Sequence, residues 1–526
     1  MNEALRQAQR QPEESKAATP WGMEGSSFRI LIVAAFIAGL LFRFTGLSNP
    51  PFDAHSFRQS QTLSTIDAFY LHGIDIFHAR AIYMGYPGTF VLELPVFQAL
   101  AALLYHVLGP HVEIVRILNI IFGMMTTWLL YRVIWHLLER PTAILSALIY
   151  WLAPLNAFYQ RSTLIDPLAV CCAMLSFYCM ALLLNPTSAG SSGENGHARW
   201  LAILGFAIGT WFAAMIKALY LWPSVLLFGQ AVLTRRFKID PQLVKVFTIM
   251  AISGLCFLAW NYYASRVNAR SIITRGIEPT ALLGVSSLLD PSFYFEQIVR
   301  RPRWWLSTAG ALLYPFGIYA LWAERRPRAA VLLLLALVPP TYLLLFATIN
   351  GHDYYQLIIT PFLAVISANG LRWLALTILG PLCASAPARR LILEGSCWLL
   401  LLSAVLTFAF WFHHGRLDAQ TLHFQKLCAG RFEPWAPAMV FISESVNGDK
   451  ESRDIPHYLY AAKLWGTGKS VRDQAEAHAF FEQLRPAYKE LEYVVLYGTQ
   501  LPDWVPSPEF KLEVRDPADR LWVFKR

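Results

Sequence analysis

Residues 28–62 read FRILIVAAFIAGLLFRFTGLSNPPFDAHSFRQSQT, an apolar run at 28–47 followed by a polar segment with one Asp, one His and one Arg. A helix of about 20 apolar residues crosses a hydrocarbon core of about 30 Å. The run lacks the small-residue cleavage site of a signal peptide. It therefore predicts an uncleaved first transmembrane helix, with the charged groups just beyond its end.

The composition of the chain indicates a membrane protein. Of 526 residues, 56% are hydrophobic and only 15% are charged, which is too apolar for a water-soluble protein of several domains. The formal net charge of +9 resides mostly in short Lys and Arg clusters between apolar runs, as topology signals do. Nucleic acid is therefore not an expected partner. The cysteines lie mainly in or beside apolar runs, so neither a disulfide framework nor a Cys-rich metal site is expected.

Further apolar runs are long enough to cross a bilayer. They lie near 113–137, 142–159, 163–184, 245–263, 304–323, 329–347, 354–379 and 391–412. The segment 200–234 is interrupted by Lys217 and Pro223. It is either one overlong helix or two short helices that meet near Lys217.

The basic residues favour two spans in this segment. If the tail 1–27 is cytoplasmic and 200–234 crosses twice, nearly every inside loop is basic, as the positive-inside rule requires. The inside groups are then Arg132 with Arg140, Arg199, RRFK at 235–238, ERRPR at 324–328 and ARR at 388–390.

This topology requires that 90–108 does not cross the membrane. That segment is then expected on the outer membrane surface as a juxtamembrane helix, together with 62–72. Leu63, Ile66, Phe69 and Tyr70 form one helical face of the second segment. A transmembrane interpretation of 90–108 is the alternative, and it would place Arg132 and Arg140 outside.

The remaining polar segments all fall outside. They are 47–112, YQRSTLIDP at 159–167, the loop 264–303, NGHDYYQ at 350–356 and the C-terminal part 413–526. In the last of these, AMVFISES and LEYVVLY predict strands, AEAHAFFEQLRPAYKEL an amphipathic helix, and FKLEV with RLWVFK a closing hairpin. We therefore expect a transmembrane domain over 28–412, with about 11 helices plus outer juxtamembrane helices, and a small α/β domain over 413–526.

Two carboxylates stand out at the outer ends of spans. Asp53 and Asp166 each lie among hydrogen-bonding residues, and an interfacial carboxylate is a functional hypothesis by default. Polar groups gathered at one membrane face suit a substrate with a lipid half and a polar half. The alternative for both residues is a helix N-cap or a solvated loop position. Capping competes closely for Asp166, because Pro167 follows it at the head of a helix.

The order of these motifs resembles the GT-C superfamily of polyprenyl-phosphate-dependent glycosyltransferases, nearest to the bacterial protein-mannosyltransferase-like and aminoarabinose-transferase-like proteins. The motifs that carry the resemblance are PPFDAHSFRQ, ELPVFQ, VRILNIIFG, APLNAFYQRSTLIDPL, MIKALY and GHDYYQLIITPFLAV. They cover 28–412 as an ordered series, and the likeness extends weakly into the C-terminal domain. Each motif alone is weak, whereas the series is fairly specific.

The resemblance implies that a sugar moves from a polyprenyl-phosphate-linked donor to an acceptor hydroxyl of a lipid, glycan or protein. The reaction would occur, usually with inversion, at the periplasmic face of the bacterial inner membrane. Asp53 matches the first-loop carboxylate and is the candidate general base. Asp166 matches the second-loop acidic position and would orient sugar or acceptor. Glu93 matches the Glu before Pro and would hold sugar hydroxyls.

The phosphate end departs from the family pattern. Aminoarabinose-transferase-like sequences commonly carry Lys directly after that Glu, and Leu94 stands here. Cations that stabilise the departing phosphate must then come from elsewhere. The candidates for substrate contact are His55, Arg58, Lys217, His352, Tyr354 and Tyr355. Snorkelling of Lys217 and an aromatic belt at Tyr354 and Tyr355 are the structural alternatives.

No obligatory metal or other cofactor is expected, although His352 beside Asp353 leaves a divalent metal open. The outside loop 264–303 is basic, which suits either lipid headgroups or an anionic acceptor. Its arginines are Arg266, Arg270, Arg275, Arg300, Arg301 and Arg303. A transporter or flippase of lipid-linked sugars is the main rival. It would show internal repeats and polar residues at the bilayer midplane, whereas here the polar residues cluster at one face.

Overall fold

The computed structural model describes residues 26–82, 84, 88–184, 195–238, 240–269, 285–323, 326–348, 352–379, 386–412, 417–446, 455–485, 490–499, 506 and 508–526. Residues 1–25 of the expected N-terminal tail lie outside this set, as do Arg270 and Arg275.

The chain up to residue 412 is a bundle of α-helices. Its first helices are α1 Ser26–Phe44, α2 Ser56–His72, α3 Val96–Leu108, α4 Val112–Leu137, α5 Arg140–Leu152, α6 Pro154–Tyr159, α7 Asp166–Leu184, α8 Asn195–Lys217, α9 Trp222–Thr234 and α10 Pro241–Asn268. The later helices are α11 Val285–Leu289, α12 Pro291–Phe295, α13 Pro302–Ala320, α14 Arg326–Leu345, α15 Thr360–Trp373 and α16 Ala386–Phe412. Tight 3₁₀ turns occupy Ala218–Leu221 and Asp353–Ile358.

The bundle is that of a multi-pass membrane protein, as the composition predicts. In the described part of the chain, 6 helical stretches are long and apolar enough to cross a membrane. They are Ser26–Phe44, Val112–Leu137, Asp166–Leu184, His197–Thr234, Pro241–Asn268 and Arg328–Leu345. Large apolar side chains such as Phe247, Leu255 and Leu258 are exposed on α10, which suits lipid rather than water.

Contacts between helix ends answer whether 200–234 passes once or twice. At the start of α7, Asp166 lies 2.9 Å from the Nζ of Lys217 at the end of α8. At the end of α7, the Leu184 carbonyl accepts a hydrogen bond of 2.9 Å from Arg235, just beyond α9. The chain therefore runs up α8, turns at Ala218–Leu221 and returns along α9, so the segment makes two passes.

The segment 90–108 forms only the short helix α3. Both ends of α3 lie at the same end of the bundle, because the amide of Leu94 before it donates to the Met215 carbonyl near the end of α8, and Arg116 after it donates to the Gly46 carbonyl beyond α1. The outer face of α3 exposes Leu103, Val107 and Leu108, whereas Phe97 and Ala101 are buried. The juxtamembrane interpretation is therefore favoured over a membrane crossing.

Helix α2 is more deeply buried than its one apolar face predicts. Leu63 and Ile66 are fully buried, but so are Gln59, Ser60 and Ser64 on the other faces. Gln59 is buried against Asp53 and the backbone of Thr163 in the bundle. Ser64 accepts from the amide of Ile82, and Asp67 accepts from Tyr460 of the C-terminal domain. The helix is therefore covered on several faces, which one-face amphipathicity does not reveal, and its place at the membrane surface stays a prediction.

The C-terminal part is a small sheet domain. Its strands are β1 Ala436–Ser443, β2 Leu464–Val471, β3 Tyr493–Tyr497, β4 Lys511–Asp516 and β5 Leu521–Lys525, and its helices are α17 Ala419–Cys428, α18 Pro456–Ala462 and α19 Gln474–Leu484. The strand order is β2-β1-β3-β5-β4. Strands β2, β1 and β3 are parallel, whereas β5 is antiparallel to both β3 and β4. The expected strands, helix and closing hairpin are present, and β2 was missed.

This domain sits on the end of the bundle that carries Asp53. The amide of Asp418 donates to the Phe52 carbonyl at 2.7 Å, and the amide of Gly466 donates to the Ile82 carbonyl at 3.0 Å. Phe52 is also packed with apolar residues of β1 and α18 in one core cluster. The loop that leads into α2 is therefore held between the bundle and the sheet domain.

The two-pass hairpin makes a topology prediction. Reporters fused after residues 190, 237 and 326 should report one side of the membrane, and reporters after 280 and 450 the opposite side. Alkaline phosphatase and green fluorescent protein activities of matched fusions measure this. A reporter at 237 on the side of 450 would contradict the hairpin and invert every later helix.

Candidate active site at one end of the bundle

A buried arginine shapes the loop that leads to Asp53. Arg116, at the head of α4, is fully buried. Its NH1 nitrogen donates to the carbonyls of Gly46, Leu47 and Asn49 at 2.9, 2.6 and 2.6 Å. One guanidinium thus binds three carbonyls of the loop that follows α1, where the helical hydrogen bonds of α1 have ended. The following residues are turned back over the end of the bundle.

Asp53 is buried and linked to the turn between α6 and α7. Its Oδ1 accepts a hydrogen bond from Gln59, and its Oδ2 lies 3.7 Å from a guanidinium nitrogen of Arg161. Gln59 also accepts from the backbone amide of Thr163 at 3.3 Å. Asp53 is therefore held opposite a cation, and its Oδ2 has no hydrogen bond to that cation at this distance.

His55 and Asp353 form a hydrogen-bonded histidine–aspartate pair. His55, at a left-handed φ of 57° just before α2, places its Nε2 at 2.8 Å from Asp353 Oδ1. The Tyr159 hydroxyl also donates to Asp353, and so does the Trp304 indole at 3.2 Å. Burial by itself would raise the pKa of Asp353, but hydrogen bonds from His55 and Tyr159 and the nearby charge of Arg301 outweigh it and lower the pKa.

Asp166 and Lys217 form a deeply buried ion pair. Their side chains are 2% and 3% exposed and 2.9 Å apart. The Tyr220 hydroxyl donates to the same carboxylate at 2.6 Å. Lys217 Nζ lies 3.8 Å from the ring centre of Tyr355, a cation–π distance. Lys217 therefore does not snorkel to the interface, and the Asp166 carboxylate points into the cluster.

Arg58 and Glu93 form the more open ion pair. Their nitrogen and oxygen are 2.7 Å apart, with side chains 20% and 24% exposed. Burial would raise the pKa of Glu93, but the charges of Arg58 and Lys217 outweigh it and lower the pKa. The backbone amide of Leu94 donates to the Met215 carbonyl at 3.1 Å, which fixes Glu93 beside the end of α8.

Leu94 has a structural role at the position where a Lys was expected. Its side chain is buried in an apolar cluster with Met215 and Trp260. A lysine there would point into this cluster. Arg58 and Lys217 are cations beside Glu93, and phosphate contact by Arg58, Lys217 or His352 stays a prediction.

The aromatic residues after α14 lie inside the site. Tyr354 is buried, and its ring stacks on His352 with centroids 5.5 Å apart. The His55 ring meets Tyr354 edge-on at 4.9 Å. Tyr354 and Tyr355 thus line the cluster and are not part of an aromatic belt. His352 is exposed at its rim.

The structure brings together the candidates chosen from sequence. One connected cluster contains eight of them: Arg58, Glu93, Asp166, Lys217, Tyr354, Tyr355, His55 and His352. Asp53 lies next to this cluster and contacts Gln59 and Arg161. Sequence reasoning missed Tyr159, Arg161, Tyr220, Trp304 and Arg301 as members of the site. The first two were visible in the quoted turn YQRSTLIDP, and Arg301 was one of several equivalent arginines in its loop.

The described residues do not form a metal-ligand cluster. In that part of the chain no three His, Cys, Asp or Glu side chains are grouped closely enough to hold an ion. His352 and Asp353 are neighbours in sequence, but Asp353 turns toward His55. The expectation that no metal is obligatory, with a divalent ion left open, stays a prediction.

The fold is similar to that of several solved structures. The crystal structure of ArnT from Cupriavidus metallidurans bound to undecaprenyl phosphate matches with a TM-score of 0.64 at 14% identity, over 95% of this chain and 98% of that chain. The apo crystal structure of the Archaeoglobus fulgidus oligosaccharyltransferase matches with 0.57 at 11% identity, over 89% and 69%. The archaeal oligosaccharyltransferase AglB from the same organism, in complex with an inhibitory peptide and a dolichol-phosphate, matches with 0.55 at 11% identity, over 90% and 70%.

These likenesses confirm the GT-C type of fold expected from the sequence. The profile of a family described as dolichyl-phosphate-mannose-protein mannosyltransferase matches residues 93–270. No curated protein matches the sequence significantly. The profile match begins at Glu93 and includes Asp166 and Lys217.

The Lys217–Asp166 pair makes a stability prediction. Lys217→Met should leave a buried carboxylate without its cation and lower the free energy of unfolding by about 3–5 kcal/mol. Lys217→Met combined with Asp166→Asn should recover much of that loss, because no charge is then buried. Lys245→Met, at an exposed lysine of α10, is the matched control. Thermal unfolding of purified protein measures all three, and a single variant as stable as wild type would show that the pair does not form.

Proposed function

We propose that the chain is a membrane glycosyltransferase that moves a sugar from a polyprenyl-phosphate-linked donor to an acceptor hydroxyl. The observation that carries the proposal is the pair of salt bridges, Arg58–Glu93 and Lys217–Asp166, at one end of an apolar bundle. Charges at a lipid–water boundary suit a substrate with an anionic head and an apolar tail. Support comes from the similar ArnT structure, which holds undecaprenyl phosphate, and from the matched family's description.

The donor phosphate would be held by Arg58 and Lys217. Arg58 is the more open of the two and offers a planar fork for phosphate oxygens. Each cation is paired with a carboxylate here, so phosphate binding would draw it partly from that carboxylate. Glu93 and Asp166 would then be free to accept hydrogen bonds from sugar hydroxyls. Tyr354, Tyr355 and His352 form the adjacent wall, with His55 next to it.

Transfer would be a single displacement at the anomeric carbon. The acceptor oxygen forms a bond to that carbon as the bond to the phosphate oxygen breaks, so the configuration inverts and polyprenyl phosphate leaves. The acceptor proton passes to a base. We assign this role to Asp53, a carboxylate beside the cluster whose Oδ2 can accept a proton in addition to its ion pair with Arg161 at 3.7 Å. His55, oriented by Asp353, is the second candidate for the base, by the logic of a histidine–aspartate pair.

The site would face the periplasm of a bacterial inner membrane, with a lipid, glycan or protein as acceptor and no obligatory metal. This orientation places the basic groups Arg235 and Arg328 on the cytoplasmic side, consistent with the positive-inside rule. A transporter of lipid-linked sugars is less well supported. Near the middle of α7, Ser176 contacts Thr210 at 2.8 Å and Ser224 at 3.3 Å, and these uncharged hydroxyls suit helix packing rather than a charged pathway.

The general-base assignment is tested by paired variants. Asp53→Asn is nearly isosteric, so it should preserve folding and donor binding while transfer falls by about 10²–10⁴-fold. His55→Gln should reduce transfer less, because it would disturb the wall of the site and not the base. Transfer by purified protein in nanodiscs, with donor binding measured in parallel, gives both numbers.

Asp75→Asn, at an exposed aspartate in the same outer segment, is the control and should behave as wild type. Near-normal turnover of Asp53→Asn together with a large loss in His55→Gln would move the base to His55. Near-normal turnover of both would leave Asp166 as the next candidate.

A further inference from the structure

A second cavity lies between the bundle and the sheet domain. Its volume is about 640 Å³, within the range of small-molecule sites. One wall comes from Ser48, from residues 50–52, from α2, from Tyr105 of α3 and from residues 110–113. The facing wall comes from α17, from Tyr460 of α18 and from the residues just before β1 and β2. Asp53 follows directly on the wall residues 50–52. The cavity therefore opens beside the proposed active site without including its charged pairs.

Aromatic rings line this cavity. Trp435 lies 5.8 Å from Tyr460 between ring centres, and Tyr70 lies 6.0 Å from Tyr105 on the opposite wall. Two aromatic surfaces face the same space from the two parts of the molecule. Flat rings of this kind pack well against the C–H faces of pyranose rings, whose edges carry the hydroxyls.

The charges in the cavity suit hydroxyl groups rather than phosphate. Asp67 and Glu113 supply two carboxylates, Lys463 supplies one ammonium group and His111 supplies an imidazole. Asp67 also accepts a hydrogen bond of 3.1 Å from the Tyr460 hydroxyl. The Lys463 ammonium is already engaged, 3.8 Å from Asp67 and 4.0 Å from the ring centre of Tyr460. An anion would meet an excess of carboxylates, whereas neutral hydroxyls can donate to both of them.

Backbone strain occurs at Trp435 on the same wall. Trp435 has φ 66°, in the left-handed region that bulky residues avoid. Its amide donates to the carbonyl of Lys463 at 2.5 Å, and Lys463, at φ 54°, is the left-handed residue that ends α18. Strain of this kind at non-glycine residues accumulates at binding sites, where it fixes side chains in a required orientation.

We propose that this cavity binds a neutral saccharide, with Trp435 as the stacking surface and Asp67 and Glu113 as hydroxyl acceptors. Its role as the site for a glycan acceptor rests on the proposed glycosyl transfer, whereas saccharide binding itself does not. A glycan seated there would reach the proposed active site past Phe52. The neighbouring Asp53 would then meet the hydroxyl that receives the sugar.

The test is binding of full-length protein in nanodiscs to an array of neutral oligosaccharides, anionic oligosaccharides and peptides. Nanodiscs are needed because alkyl maltoside detergents carry the chemistry under test. Wild-type protein should retain neutral oligosaccharides. Trp435→Gly should weaken their retention by at least about fivefold, since the ring is lost while glycine adopts φ 66° without strain. Glu113→Gln should also weaken it and guards against misfolding of the first variant.

Trp322→Ala, at a strongly exposed tryptophan after α13, is the matched control and should bind as wild type. Three results would overturn the proposal: equal retention of neutral oligosaccharides by all four proteins, no retention of any oligosaccharide by the wild type, or retention of peptides or anionic glycans only. A saccharide-binding protein without transfer activity would contradict the proposed function alone, and transfer without array binding would contradict this inference alone.

Discussion

The ion pair between Lys217 and Asp166 is the interaction on which the polar end of the bundle depends. A charge buried away from water costs several kcal/mol unless an opposite charge lies against it. The last residue of α8 must therefore meet the first residue of α7, which forces the chain to turn at Ala218–Leu221. Tyr220 and Tyr355 pack against this ion pair. Glu93 is positioned beside it because the amide of the next residue, Leu94, donates to the Met215 carbonyl near the end of α8.

A second constraint positions the loop that carries Asp53. Arg116 donates to three carbonyls of the loop after α1, and the amide of Asp418 in the sheet domain donates to the Phe52 carbonyl. Asp53, Phe52 and the wall of the interdomain cavity are thus fixed together. Chemistry at Asp53 and binding in the cavity would share one short segment, so the sheet domain belongs to the site and does more than cover it.

Much of the architecture was predictable because apolar length and basic loops are strong signals in a membrane protein. They gave the bundle, the two passes of 200–234 and the short α3. The burial of α2 was not predictable, since its polar residues Gln59, Ser60 and Ser64 resemble a solvated face and are covered by segments distant in sequence, among them the turn at Thr163. The site followed from motif order. Its partners Tyr220 and Trp304 could not be found from sequence, because ordinary aromatic residues acquire a role only through the tertiary contacts to Asp166 and Asp353.

The central claim is that the phosphate of a polyprenyl lipid binds between Arg58 and Lys217. Cryo-electron microscopy of the protein in nanodiscs with undecaprenyl phosphate tests it most directly. The account predicts phosphate density in contact with both side chains and an apolar tail leaving along the lipid-facing bundle. Phosphate density at the opposite end, beside Arg328 and Arg372, or contact with neither cation in a lipid-bound structure, would contradict it.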